Sequence, residues 1–273
     1  MRVFISADIE GVGCVVRGEN SSPGGREYPM ARRLMTEEVN AAIRACYESG
    51  ADSVVVADAH NVGLNLLPED LDERAELIMG SPRPLSMMHG VKGADAALFV
   101  GYHAMAGTAD GSICHTYMGR IASVKVNGLA VGEIGLNLAL AGACGVQVAA
   151  LSGDRAACNE ILALDPEMET AAVKTSIGAY AAHCLHPKRC RDLIFKAVRK
   201  GLDGVGQRRP YLVQAPVTLE VGLTTASGAD RVEALPGVCR ISDKSLRFEA
   251  DDFLTCHQTF GVMATLLDEV HFI

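Results

Sequence analysis

The chain has 273 residues, long enough to bury a full core as one large domain or two small ones. Its 49% hydrophobic and 21% charged residues are an ordinary globular balance, and no apolar run is as long as a membrane span. The net charge of −8, with no basic face standing out, argues against nucleic acid as a partner, because phosphate binding needs one.

The opening MRVFISADIE reads as a strand ending in charge, not as a secretory signal with a basic start and a long apolar core. A Gly-rich loop follows over 11–25. A helix is expected over 29–49, with Pro29 in its first turn and Gly50 as its stop. SVVVADA gives a second strand. Residues 61–75 read as a loop with a short helix, LIMG near 78 as an edge strand, and 96–100 as a further buried strand. ASVKV and LAVG flank Asn127-Gly128, the dipeptide of a tight hairpin turn. A helix over 134–143 leads into the buried strand VQVAALSGD, whose Asp154 is placed to cap the next helix. Beyond it, helices are expected over 155–164, 187–202 and 252–269, with strands over 171–174, 217–222 and near 238–241. The alternation predicts an α/β fold with a mostly parallel sheet flanked by helices and a smaller C-terminal α/β region. A division near residue 155 gives a metal-site domain over 1–155 and a C-terminal region over 156–273.

Asp8, Glu10, His60, His103, His115 and Glu133 all lie in the first half, most of them directly after an apolar run. Parallel strands bring their carboxyl ends to one edge, and ligands bind in the crevice outside it. Imidazoles and carboxylates together suit a borderline ion such as zinc, and the set is large enough for two ions. Each residue also has a plainer reading. Asp8-x-Glu10 could be a turn pair, and His103 a packed histidine. Asp58 could orient His60 from behind as an acceptor or be a ligand itself. Glu133, in the apolar run VGEIGLN, is the hardest to explain structurally, because a buried carboxylate needs a partner. Cys114 adjoins His115, but neighbours on a strand face opposite ways, so it reads as packing rather than as a nucleophile. Lys174 reads as a solvated strand end or as a group reaching the crevice. His89, His183, His186, His257 and His271 read as structural. Nine cysteines without a CxxC pair suit a reducing cytoplasm.

The stretches SADIEGVGC, RRLMTEEVNAAI, VVVADAHN, FVGYHAMAGT, CHTYMG, VNGLAVGEIGLN and AVKTSIGAYAA resemble the DppA-like D-aminopeptidases, a family of zinc metallopeptidases. The resemblance runs through nearly the whole chain and keeps the motif order. It implies two zinc ions per chain held by Asp8, Glu10, His60, His103 and Glu133, with His115 in the position proposed to be catalytic. It further implies short peptide substrates with an N-terminal D-residue such as D-Ala, and a ring-like homo-oligomer, with decamers described for the family. Two positions depart from its pattern: Cys14, where a small or polar residue is expected, and Ala179, where many relatives carry a basic one. The alternatives are another binuclear metallohydrolase, such as a phosphoesterase, and a non-enzymatic peptide- or metal-binding module. The segments around the site are poor in the Lys and Arg that phosphodiesters favour.

Overall fold

The computed structural model describes residues 1–268. In chain order its elements are β1 (Arg2–Ala7), α1 (Gly18–Ser21), α2 (Tyr28–Glu48), β2 (Ser53–Asp58), β3 (Ala75–Ile78), β4 (Ala96–Tyr102), β5 (Ile121–Val126), β6 (Leu129–Ala130), α3 (Glu133–Ala143), β7 (Gln147–Asp154) and α4 (Arg155–Leu164). There follow β8 (Glu169–Gly178), β9 (Ala181–Cys184), α5 (Pro187–Asp203), β10 (Val217–Leu223), α6 (Ala226–Val232), β11 (Cys239–Ser242), β12 (Ser245–Ala250) and α7 (Phe253–Leu267). The fold is mixed α/β.

Seven strands form one sheet in the order β3-β2-β1-β4-β7-β8-β9, parallel throughout except for the β8–β9 hairpin. Its central strands are apolar on both faces, as burial on both sides requires. On one face Val3, Ile5, Val54, Val56, Leu98 and Val100 meet Met35, Val39 and Ile43 of α2 and Ile194 and Val198 of α5. On the other, Phe4, Val55, Phe99 and Leu151 share a core with Leu136 and Leu140 of α3, Ile161 of α4 and Phe260 of α7. Two start and stop signals hold as read: Pro29 opens α2, and Gly50 takes φ +82° just past its end. Asp154 caps α4 by accepting the Ala157 N–H at 2.8 Å.

β1 lies between β2 on one side and β4 on the other, with the chain passing outward to β3 before it returns to β4. Strand order therefore reverses at β1, and a crevice opens at the carboxyl ends of β1 and β4. A second, antiparallel sheet has the order β11-β12-β10-β5-β6. The hairpin expected at Asn127-Gly128 is present, with φ +49° and +81° at the two residues. It belongs to this second sheet, so Glu133 does not follow a strand of the parallel sheet but arrives at the amino end of α3. The two sheets also interleave along the chain. β8 pairs with β7, and β5 with β10, so a cut at residue 155 passes through both sheets. Four elements had no sequence signal strong enough to read: α1, β9, α6 and β12. The expected end of the last helix at 269, and His271, lie outside the described residues.

Candidate metal centre

The loop that carries Asp8 and Glu10 is stitched to β4. Asp8 N–H donates to Val100 O and Gly11 N–H to Gly101 O, both at 2.8 Å. Gly101 has φ +75°, and a Cβ there would stand 2.2 Å from Asp8 O, so only glycine lets the two chain segments approach this closely. From behind, the loop is held by Lys174 of β8. This lysine is 1% exposed, and its Nζ donates to the carbonyl oxygens of Glu10, Val12 and Val15. It therefore does reach the crevice region, as a buried brace of the loop and not as a solvated strand end.

Asp8, Glu10, His60, His103, His115 and Glu133 all line one cavity of about 240 Å³, with Ser21, Ala59, Asn61, Ser86 and Tyr117 around them. Asp8 lies between two imidazoles: Oδ1 is 3.3 Å from His60 Nδ1, and Oδ2 is 3.5 Å from His103 Nε2. Glu10 Oε2 is 2.9 Å from His60 Nδ1. Glu133 Oε1 is 3.3 Å from His103 Nε2 and 3.8 Å from His115 Nε2. At the first position of α3, that carboxylate also benefits from the positive end of the helix dipole, and it accepts the Tyr117 N–H at 2.7 Å. Two sets of ligand atoms fall within 4.8 Å of one another: Asp8, Glu10 and His103, and His103, His115 and Glu133.

Backbone carbonyls set the imidazole orientations. His103 Nδ1 lies 2.9 Å from Ala104 O, His115 Nδ1 2.9 Å from Ile113 O, and His60 Nε2 2.8 Å from Ser21 O. With the proton on that nitrogen, each ring presents its other nitrogen to the cavity, the usual support of a metal-bound imidazole. The His115 ring stacks on His103, with centroids 4.2 Å apart.

Asp58 does not orient the His60 ring. Its carboxylate accepts the N–H groups of Asn65 and Leu66 and Asn65 Nδ2, at 2.6 to 2.7 Å, and Asn65 Nδ2 also donates to His60 O. Asp58 is thus the anchor of the loop that follows β2, and His60 sits beyond the end of that strand. Cys14 does not line the cavity; its thiol lies 3.9 Å from Leu185 O. Cys114 Sγ is 3.2 Å from Thr108 O and is likewise outside the lining. At Ala179 the backbone does the work, its carbonyl accepting the Ile113 N–H at 2.9 Å. Sequence reasoning missed Glu160, whose carboxylate accepts Met105 N–H at 2.8 Å and Gly132 N–H at 3.2 Å, tying together the loops that bear His103 and Glu133. Burial pushes Glu160 up to about 7. Tyr117, with its N–H on Glu133, was also missed. The clue available was the short polar run SICHTY beside His115.

The donor set fits a bound cation. Asp8 Oδ2 and Glu10 Oε2 are buried without a hydrogen-bond partner among the described residues, a costly state for carboxylates. The protein compensates through charge on the rings. Burial disfavours an imidazolium at His60, but Glu10 and Asp8 outweigh it and push its pKa up to about 12. At His103 burial is likewise outweighed, by Glu133 and Asp8, and its pKa is raised well above the ordinary value. Asp8 and Glu133 are held below the usual carboxylate range, since the facing histidines overcome their burial. A divalent ion would take the place of those ring protons and satisfy the orphaned oxygens.

The sequence profile of the D-aminopeptidase family matches residues 1–262. The chain belongs to the D-aminopeptidase family. It is 32% identical over 268 residues to the D-aminopeptidase of Bacillus subtilis (strain 168), covering 97% of each chain. It is also similar, with a TM-score of 0.96 and 32% identity over the whole of both chains, to a solved structure of the Zn-dependent D-aminopeptidase DppA from Bacillus subtilis, described as a self-compartmentalizing protease. The family thus makes the chain a hydrolase, and the resemblance read from its motifs holds over almost its full length.

Proposed function

We propose that this chain is a zinc-dependent aminopeptidase that removes an N-terminal D-residue, such as D-alanine, from short peptides. The observation that carries the reading is the cavity in which Asp8, Glu10, His60, His103 and Glu133 converge while two buried carboxylate oxygens lack a hydrogen bond among the described residues. These five residues would hold a pair of zinc ions. Asp8, with one oxygen toward His60 and the other toward His103, is the carboxylate placed to serve both. Zinc, when bound, supplies a Lewis acid that polarises a carbonyl and acidifies water. His115, whose Nε2 side faces Glu133 and the cavity, is the group for proton transfer, taking a proton from the attacking water and returning one to the leaving amine. The small side chains Ser21, Ser22 and Ala59 leave space beside the ligands for an inverted α-carbon.

The self-compartmentalizing character of the solved relative and the exposed apolar side chains Ile177, Tyr180 and Leu212 support a homo-oligomer for this chain, of the ring type and possessing an enclosed site, with ten subunits as in the family it resembles. Light scattering is expected to return a multiple of the monomer mass. No described helix is long and apolar enough to cross a membrane, and the nine free cysteines fit a reducing cytoplasm. A panel of D- and L-aminoacyl p-nitroanilides and bis-p-nitrophenyl phosphate, with and without zinc, tests the activity. Zinc-dependent release from the D-alanyl anilide is expected. Preference for the phosphodiester would make the site a phosphoesterase, and no turnover at all would leave a binding module.

A further inference from the structure

A second cavity of about 460 Å³ adjoins the metal cavity, and the two share Asn61, Ser86 and Tyr117 in their walls. The first lobe alone, at about 240 Å³, is smaller than the ordinary range of small-molecule sites, about 300 to 1,000 Å³; together the lobes fall within it. A peptide whose amino end and first bond occupy the metal lobe therefore has somewhere to place the rest of its chain.

The charges of the two lobes are unequal. No Lys or Arg lines the metal lobe, and Arg83 is the cation of the second. Its guanidinium is fixed on the carboxyl ends of two strands of the site-bearing sheet: Nη2 donates to Asp58 O at 2.7 Å and Nη1 to Ile78 O at 3.4 Å. Asp58 is two residues before His60, so Arg83 stands on the same rim as the metal ligands. Those two bonds leave other N–H donors of the fork unused. Among the described residues Arg83 forms no ion pair, and the lobe's carboxylate, Asp268, is exposed and outside ion-pair distance of it. A half-buried guanidinium with no counter-ion among the described residues is a site prepared for an anion, and a planar carboxylate matches its fork. His257 lines the same lobe with both ring nitrogens buried and without a hydrogen-bond partner among the described residues.

We infer that Arg83 binds the C-terminal carboxylate of the substrate and so selects very short peptides. The assignment rests on the aminopeptidase reading. It gives the enzyme a ruler: the amine is held at the metal lobe and the carboxylate at Arg83, and only peptides of matching length satisfy both ends.

The test compares D-Ala-D-Ala, its C-terminal amide and D-alanyl p-nitroanilide, which lacks a carboxylate. The wild-type protein is expected to favour the free acid over the amide. Arg83→Ala should raise KM for D-Ala-D-Ala about ten- to a hundred-fold, the range for a hydrogen bond to a charged group, with little change in kcat. The amide and the anilide should be unaffected. Arg83→Gln, which can keep a bond to the backbone carbonyl without the charge, should behave as Arg83→Ala does, and Arg83→Lys should restore part of the preference. Equal losses on all three substrates would show that Arg83 merely supports the fold. A wild-type protein that cleaves the acid and the amide alike would overturn the assignment without any variant. A wild-type protein that cleaves neither D-Ala-D-Ala, nor its amide, nor the D- or L-alanyl anilide would instead remove the aminopeptidase reading itself.

Discussion

The carboxyl edge of the parallel sheet and the antiparallel sheet β11-β12-β10-β5-β6 solve the problem of burial in opposite ways. In the antiparallel sheet, β10 alternates buried Val217, Leu219, Val221 and Leu223 with partly exposed positions, and Glu220 turns outward to pair with Arg247 at 2.7 Å. At the edge of the parallel sheet the buried side chains are Asp8, Glu10, His103 and Glu133, each at most 5% exposed. The first region is what apolar burial produces by itself. The second opposes burial, because carboxylates and imidazoles lose hydration there, and it is sustained only by partners that neutralise them. A departure from consistency of this kind marks a functional site.

Several changes would break or sharpen the contrast. The largest effect is expected at the ligands: His60→Ala or His103→Ala should strip zinc and abolish activity together, read by metal analysis alongside turnover of D-alanyl p-nitroanilide. Retention of full activity by either variant would remove that residue from the ligand set. Next, His115→Ala should keep its zinc and its fold while turnover falls about 10²- to 10⁴-fold, the usual contribution of a general acid/base. Loss of metal there would make His115 a ligand. Cys114→Ala is the control and should stay active.

In the apolar region the outcome should reverse. Leu219→Ala removes a side chain that is 1% exposed and should cost about 2 to 5 kcal/mol of stability in denaturant unfolding, with zinc content and kcat unchanged. The smallest effect concerns His257, in α7, where burial pulls the pKa down to about 4. In the unfolded chain the same group titrates near 6.5, so between these values the unfolded state binds more protons. Stability should be full above about pH 6.5 and fall as the pH drops toward 4, by at most about 3 kcal/mol from this residue. His257→Leu should flatten that part of the curve; an unchanged slope would place the titration elsewhere.

The strands that build the site were legible because they are long apolar runs ending in charge, as RVFISA does before Asp8. So were the helices bounded by Pro and Gly, such as α2. β9, α6 and β12 were not: Ala181–Cys184 and Ser245–Ala250 are short or half-exposed strands without a continuous apolar run. In the site, residue types at strand ends identified the cluster, since chemistry is written in side chains. What they could not give was support through the backbone. Asp58 serves the N–H groups of Asn65 and Leu66, Glu160 those of Met105 and Gly132, and Lys174 three carbonyls of the Asp8 loop. Such contacts depend on where loops pass, which residue spacing does not encode. For the same reason the apolar run before Glu133 does not reveal that a hairpin of the antiparallel sheet delivers it on a helix.

The central claim is that the buried charges at the carboxyl edge form a metal centre, and anomalous diffraction at the zinc edge tests it most directly. The account predicts a pair of zinc peaks within the cavity, one beside His60 and Glu10 and one beside His103 and Glu133, with Asp8 between them. Crystals grown with zinc present that show no anomalous peak among these residues would contradict it.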